Sequence, residues 1–251
     1  VLSCAQNAEL KFIVSNTTEA GICFRDSDRF DAPGTAAFPG KLTRFLYERY
    51  QTLGLGNAPG FLILPCELIE HNGETLKECV KEYAGLWGLG SGFAAWVEES
   101  NVFCSTLVDR IVPGFPKDDA ARYAQENGYT DALLVAAEPF GFWVIEGDSA
   151  LNDVLPFAKA GLPVLVTPDI TFYKQRKVRV LNGGHTSMTC AALLTGVETV
   201  GQCMEDRDIS RFLRRAVYDE IIPASGMPQD VLCSFADAVM DRFRNPFIRH
   251  E

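Results

Sequence analysis

The stretch YKQRKVRVLNGGHTS, residues 173–187, sets Lys177, Asn182 and His185 at spacings of five and three. A buried lysine amine gives up its charge readily, and amide and imidazole N–H groups hold oxygens by hydrogen bonds. At about 100° per residue in an α-helix, Asn182 lies roughly 140° from Lys177 and His185 about 80° from it. All three can therefore face one cavity, with His185 in the middle. Gly183 and Gly184 each cost about 0.5–1 kcal/mol relative to Ala inside a helix, so a pair suggests that something approaches the backbone closely there. A plainer reading is equally open. The basic residues at 174, 176, 177 and 179 can solvate a helix face, Asn-Gly-Gly can be a turn, and His185 can be a satisfied core histidine.

The elements that would position these residues follow from periodicity. LKFIVS (10–15), GFLILPC (60–66), LLVAAE (133–138), FWVIEG (142–147) and LPVLVT (162–167) read as strands, and STLVDRIVP (105–113) as a strand or extended segment. KLTRFLYERYQTL (41–53), ETLKECVKEYAGL (74–86), GFAAWVEES (92–100) and DDAARYAQENG (118–128) read as helices. From about residue 173 every segment reads as helical, including ISRFLRRAVYDEIIP (209–223) and QDVLCSFADAVMDRFR (229–244). Strands alternating with helices predict a parallel α/β sheet. The helices after it predict a second domain, with the boundary near Pro168–Tyr173. Ligands bind outside the carboxyl ends of such strands and favour domain junctions, which is where the Lys/Asn/His set falls.

Composition narrows the class. With 47% hydrophobic and 22% charged residues, the chain is an ordinary globular one. The net charge of −10 argues against nucleic acid or an anionic membrane as main partner. The most apolar stretch, residues 132–147, is broken by Glu138 and Pro139, which predicts a soluble protein. Eight cysteines are scattered without a CxxC pair or zinc spacing, so no metal site is predicted and the thiols read as those of a cytoplasmic protein. The chain opens almost directly into ELKFIVSN, closes at NPFIRHE and has no initiator Met, and it reads as a piece of something longer.

Other polar groups stand at strand ends. SNTTEAG (15–21) offers Asn16, Thr17 and Thr18 after the first strand, either to a nucleotide or to a helix start. ILPCELIEHNG (63–73) places Glu67 and Asn72 after the second. ESNVFCSTLVDRIVPGFP (99–116) carries Asn101, Asp109 and Arg110, the last two as a structural ion pair or as part of a site. Cys66 and Cys104 have no histidine at a telling distance, which argues against a thiol nucleophile.

Taken together, the Lys177-x4-Asn182-x2-His185 pattern and the segments SNTTEAGI, PGKLTRFLYERY, ILPCELIEHNG, FCSTLVDRIVPGFP and RFRNPFI resemble the polyol-specific long-chain dehydrogenase/reductase (mannitol dehydrogenase) family. The resemblance runs over essentially the whole chain and is strongest to the hexuronate-reducing branch. It implies an α/β fold: the rear part of a Rossmann-type NAD-binding domain (1–172), then part of a mainly α-helical substrate and catalytic domain (173–251). It also implies NAD-dependent, metal-independent reduction of D-tagaturonate to D-altronate, with fructuronate or mannitol as the neighbouring substrates. Lys177 would be the acid/base, with Asn182 and His185 polarising the carbonyl and binding substrate. Asn16, Thr17, Thr18 and Asn101 would lie on the cofactor side. Asp109, Arg176, Arg179 and Arg242 would lie on the substrate side, an arginine being the best partner for a hexuronate carboxylate. The glycine-rich turn of the family and the acidic residue that reads the ribose are absent from this sequence. A non-catalytic sugar-acid binding module is the reading from another class.

Overall fold

The computed structural model describes every residue except 33–35, 55–56, 248–249 and 251, so that Ile248 of RFRNPFI lies outside the described residues. In chain order come α1 (Leu2–Ala5), β1 (Phe12–Ser15), α2 (Phe38–Thr52), β2 (Leu62–Pro65), α3 (Asn72–Leu86) and α4 (Ser91–Ser100). Then follow β3 (Val102–Phe103), β4 (Thr106–Asp109), α5 (Ala120–Asn127), β5 (Phe142–Glu146), α6 (Leu151–Val154) and β6 (Val164–Thr167). From there on the elements are helical. A π-helical segment (Lys177–Asn182) joins α7 (Thr171–Arg176) to α8 (Gly183–Thr195), and α9 (Val200–Glu205) follows. A second π-helical segment (Ala216–Ile221) joins α10 (Arg207–Arg215) to α11 (Ile222–Ala224), and α12 is Gln229–Phe243. Among the described residues no helix is long and apolar enough to cross a membrane.

The chain divides into two compact units, Val1–Val108 with Trp143–Ile170, and Asp109–Phe142 with Thr171–Glu251. In the first, β1, β2 and β3 lie side by side in that order and are parallel, Phe12 opposite Leu62 and Leu62 opposite Val102. The second sheet runs β4-β5-β6, with β5 and β6 parallel. The run LILP is buried along its whole length, as expected of a strand covered on both faces. Periodic apolar residues of α2 and α3, Leu42, Phe45, Leu46, Leu76 and Val80, close one core together with Phe93, Trp96 and Ile63.

The turn from β2 into α3 depends on Asn72, whose amide donates to the carbonyls of Pro65, Glu67 and Thr106 at 2.9–3.0 Å and accepts from Thr106 N–H. His71, with φ 45° in the left-handed region, makes the bend before it. Gly73 lets α3 press on the link between β3 and β4, for a Cβ there would lie 2.6 Å from the backbone of Cys104 and Ser105. Gly73→Ala should therefore cost about 1–3 kcal/mol of stability, read as a lower midpoint in urea unfolding.

The second unit takes in more chain than the helices after residue 170, because residues 109–142 pack with them. LLVAAE, read above as a strand, is not one. Among the described residues its bridge is an isolated one between Gly114 and Ala136, with the Glu138 N–H donating to the Ile111 carbonyl beside it, and Leu133 is 86% exposed. Among the described residues the apolar run has no neighbouring strand to pair with, and its buried member is Glu138. The helical core gathers Val180, Met188, Leu213, Val217, Leu232, Val239, Met240 and Phe243. Gly184 is where α8 meets this core, since a Cβ there would lie 3.3 Å from Val217 and 3.5 Å from Leu213. What approaches the backbone at the glycine pair is thus the protein's own helix.

Candidate active site

Lys177 and Asn182 open and close the first π-helical segment, and the N–H of Gly183 reaches back five residues to the carbonyl of Val178. In an α-helix positions five apart diverge by roughly 140°, whereas the wider turn of i to i+5 bonding narrows that angle. The wide turn therefore brings Lys177 and Asn182 toward one side, and His185 follows in the first turn of α8. Such single π turns recur at functional sites.

These side chains share a cavity of about 1010 Å³ within the second unit, whose wall includes Lys177, Asn182 and His185 on one side and Asp109, Arg110 and Lys117 on another. Phe243 and His250 line it as well. Burial lowers the pKa of Lys177, the Asp109 carboxylate opposes the shift, and the nearby Arg242 charge adds to it. Burial also lowers the pKa of His185.

Asp109 and Arg242 occur together, as neighbours of one another. Arg242 Nη2 lies 2.7 Å from both Asp109 Oδ1 and Glu138 Oε1, with the three side chains only 7%, 4% and 2% exposed. Burial works against the guanidinium charge, but its hydrogen bonds to Glu138 and Asp109 outweigh that and raise its pKa. Glu138 is tied in turn by the Ile111 N–H at 2.6 Å, and Arg242 lies over the Phe140 ring, 4.2 Å from its centroid. The other arginines read from sequence are placed differently. Arg176 sits among Phe142, Phe172, Tyr173 and Phe235, with its buried Nε unpaired, and Arg179 donates to the Ser225 carbonyl at 2.7 Å. Neither arginine lines the cavity, nor does Arg242.

In the first unit, Asn16, Thr17 and Thr18 are exposed at the carboxyl end of β1. The buried Glu67 carboxylate takes hydrogen bonds from Ser15 Oγ, from Thr17 N–H and from Thr17 Oγ1, at 2.8–3.0 Å, and so shapes this loop. Asn101 is buried, with its carbonyl oxygen accepting from Phe61 N–H and its amide donating to Trp96 O. Its amide thus holds α4 to the strands. Sequence reasoning passed over Glu138, Phe243 and His250. A lone acid at the end of an apolar run was a usable signal for Glu138, while nothing in spacing pointed to His250.

Comparison with known proteins gives the family of the chain. Residues 1–158 match the mannitol dehydrogenase Rossmann domain and residues 169–251 the mannitol dehydrogenase C-terminal domain. The chain belongs to the mannitol dehydrogenase family, a Rossmann-type domain followed by a mainly helical one. Over 250 residues it is 48% identical to an altronate oxidoreductase of Klebsiella pneumoniae (strain 342) and 48% identical to one of Cronobacter sakazakii. Each match covers 100% of this chain and 52% of the relative, so the chain spans about half the length of the curated relatives it matches. The fold is also that of Pseudomonas fluorescens mannitol 2-dehydrogenase, solved as a ternary complex with NAD and D-mannitol. The TM-score is 0.74 at 24% identity, over 99% of this chain and 52% of that one.

Proposed function

We propose that the chain carries the catalytic groups of an NAD-dependent reductase that converts D-tagaturonate to D-altronate in the cytoplasm. The observation that carries the reading is the shared cavity of Lys177, Asn182, His185 and Asp109, with a lysine whose charge is disfavoured by burial. Support for the substrate comes from the curated relatives, named altronate oxidoreductase. The compartment fits eight cysteines that are all free.

Reducing a ketone requires a proton for its oxygen, and the Lys177 ammonium supplies it; in oxidation the free amine takes the hydroxyl proton. The Asn182 amide donates to the oxygen as negative charge builds, and the His185 imidazole orients it. NAD(H), when bound, supplies or accepts the hydride. Asn16 and Thr18, exposed at the carboxyl end of β1, fit that group as the polar contacts of this chain, because dinucleotides lie at such strand ends. Thr17, held by Glu67, sets the loop for them. Since Arg242 is matched by two carboxylates, we assign the hexuronate carboxylate to Arg110 and Lys117 on the cavity wall.

The test is loss of NADH absorbance with tagaturonate, fructuronate and fructose, using the chain with its natural flanks. Turnover is expected on tagaturonate. Turnover only on fructuronate or fructose keeps the mechanism and changes the substrate. Folded protein that is silent on all three overturns the reductase reading in favour of a non-catalytic sugar-acid binding module.

A further inference from the structure

His250 stands on the same cavity wall as His185, and the two imidazoles are stacked with centroids 4.9 Å apart and planes within 16°. Phe243 meets both rings edge-on, at 6.4 Å from His185 and 6.5 Å from His250. Stacked and T-shaped pairs at such separations are favourable in themselves. The main chain of His250 is anchored too, because its carbonyl accepts the Val200 N–H at 2.8 Å, at the start of α9. That start is fixed by a capping box, in which Thr199 and Gln202 bond each other's backbone.

We propose that His250 is a positioning residue of the site, whose ring, with Phe243, fixes the plane of the His185 imidazole. Among the described residues the contacts recorded for the His185 ring are these two aromatic ones. Among the described residues, packing takes the part of the hydrogen bond that usually orients a catalytic histidine through its second nitrogen. The stack also couples the two rings electrostatically. The charged and titratable groups that face His250 are His185 on α8, Glu138 on the 109–142 segment and Arg242 on α12. Burial, then the His185 charge, disfavours a proton on His250; Glu138 opposes this and Arg242 adds to it. A proton on His185 therefore makes one on His250 less favourable.

The part of this inference that concerns substrate rests on the reductase reading, whereas the stack itself does not. Two experiments separate them. In histidine 1H–13C spectra followed across pH, the protein has three histidines to resolve. His185→Phe should keep the stack, remove the charge and raise the His250 midpoint. An unmoved midpoint overturns the coupled stack. In turnover, His250→Ala should lower kcat about tenfold with little change in KM, and His250→Phe should recover most of that loss by restoring the face. Equal and severe loss in both variants, with the folded spectrum intact, overturns positioning in favour of direct chemistry by His250. Wild-type rates in both overturn the proposal outright. If the unaltered protein reduces none of the sugars, the reductase reading has failed, and the spectral experiment alone decides the stack.

Discussion

Lys177→Ala is expected to lower kcat for ketone reduction by about 10²–10⁴-fold, the range for loss of a positioned general acid or base, with KM changed far less. The reasoning starts from a charge balance. Lys177 faces Asp109, which favours its ammonium, and Arg242, which disfavours it, while burial disfavours it most. The folded pKa therefore lies below the ordinary lysine value of 10.5. The sign of the pH dependence follows. Oxidation of the alcohol needs the free amine, so kcat/KM in that direction should rise as pH climbs through the lowered pKa and then level. Reduction needs the ammonium, so it should fall over the same interval. Opposite limbs with one shared midpoint would assign the proton to Lys177. The same midpoint persisting in Lys177→Arg, whose side chain stays charged, would assign it to another group.

Much of this arrangement is legible in the sequence where the cause is local. The continuous apolar run LILP can only be a strand buried on both faces, and Gly128 and Gly196 stop α5 and α8 in left-handed geometry where no larger residue rests easily. The order of Lys177, Asn182 and His185 is equally local, although the turn that draws them toward one side is π-helical and not α-helical. A spacing argument at 100° per residue cannot register one extra residue in a turn, because that residue is stabilised by packing of Gly184 and Val180 against the second π segment and its neighbours.

What escapes sequence reasoning is long-range polar pairing. Arg242 lies 133 residues from Asp109 and 104 from Glu138, and no periodicity links them. Read alone, Arg242 looks like an anion-binding side chain; read with its neighbours, it is already paired with two buried acids. Asn101 and Glu67 follow the same rule. Each is polar, buried and spent on backbone or hydroxyl partners that only the folded chain brings near.

Arg242→Met is expected to produce the largest loss of stability, roughly 3–5 kcal/mol, because removing one member of a buried ion set strands the others. Asp109 and Glu138 would remain at 4% and 2% side-chain exposure with no cation between them. Urea unfolding should record the loss as a lower midpoint. Adding Glu138→Gln should return part of it, since one stranded charge is then gone, although the amide must still satisfy the Ile111 N–H that Glu138 accepts at 2.6 Å. An additive double variant would mean that the two side chains do not sense one another. The same substitution reaches the chemistry. Without the Arg242 charge, only burial still opposes the pull of Asp109 on the Lys177 ammonium, so the lysine pKa should move up toward its ordinary value. In the Arg242→Met protein that remains folded, the rising limb of alcohol oxidation should therefore shift to higher pH. A limb that stays in place, in a variant that has lost the expected stability, would separate the ion set from the proton-transfer group and make it a structural clamp alone.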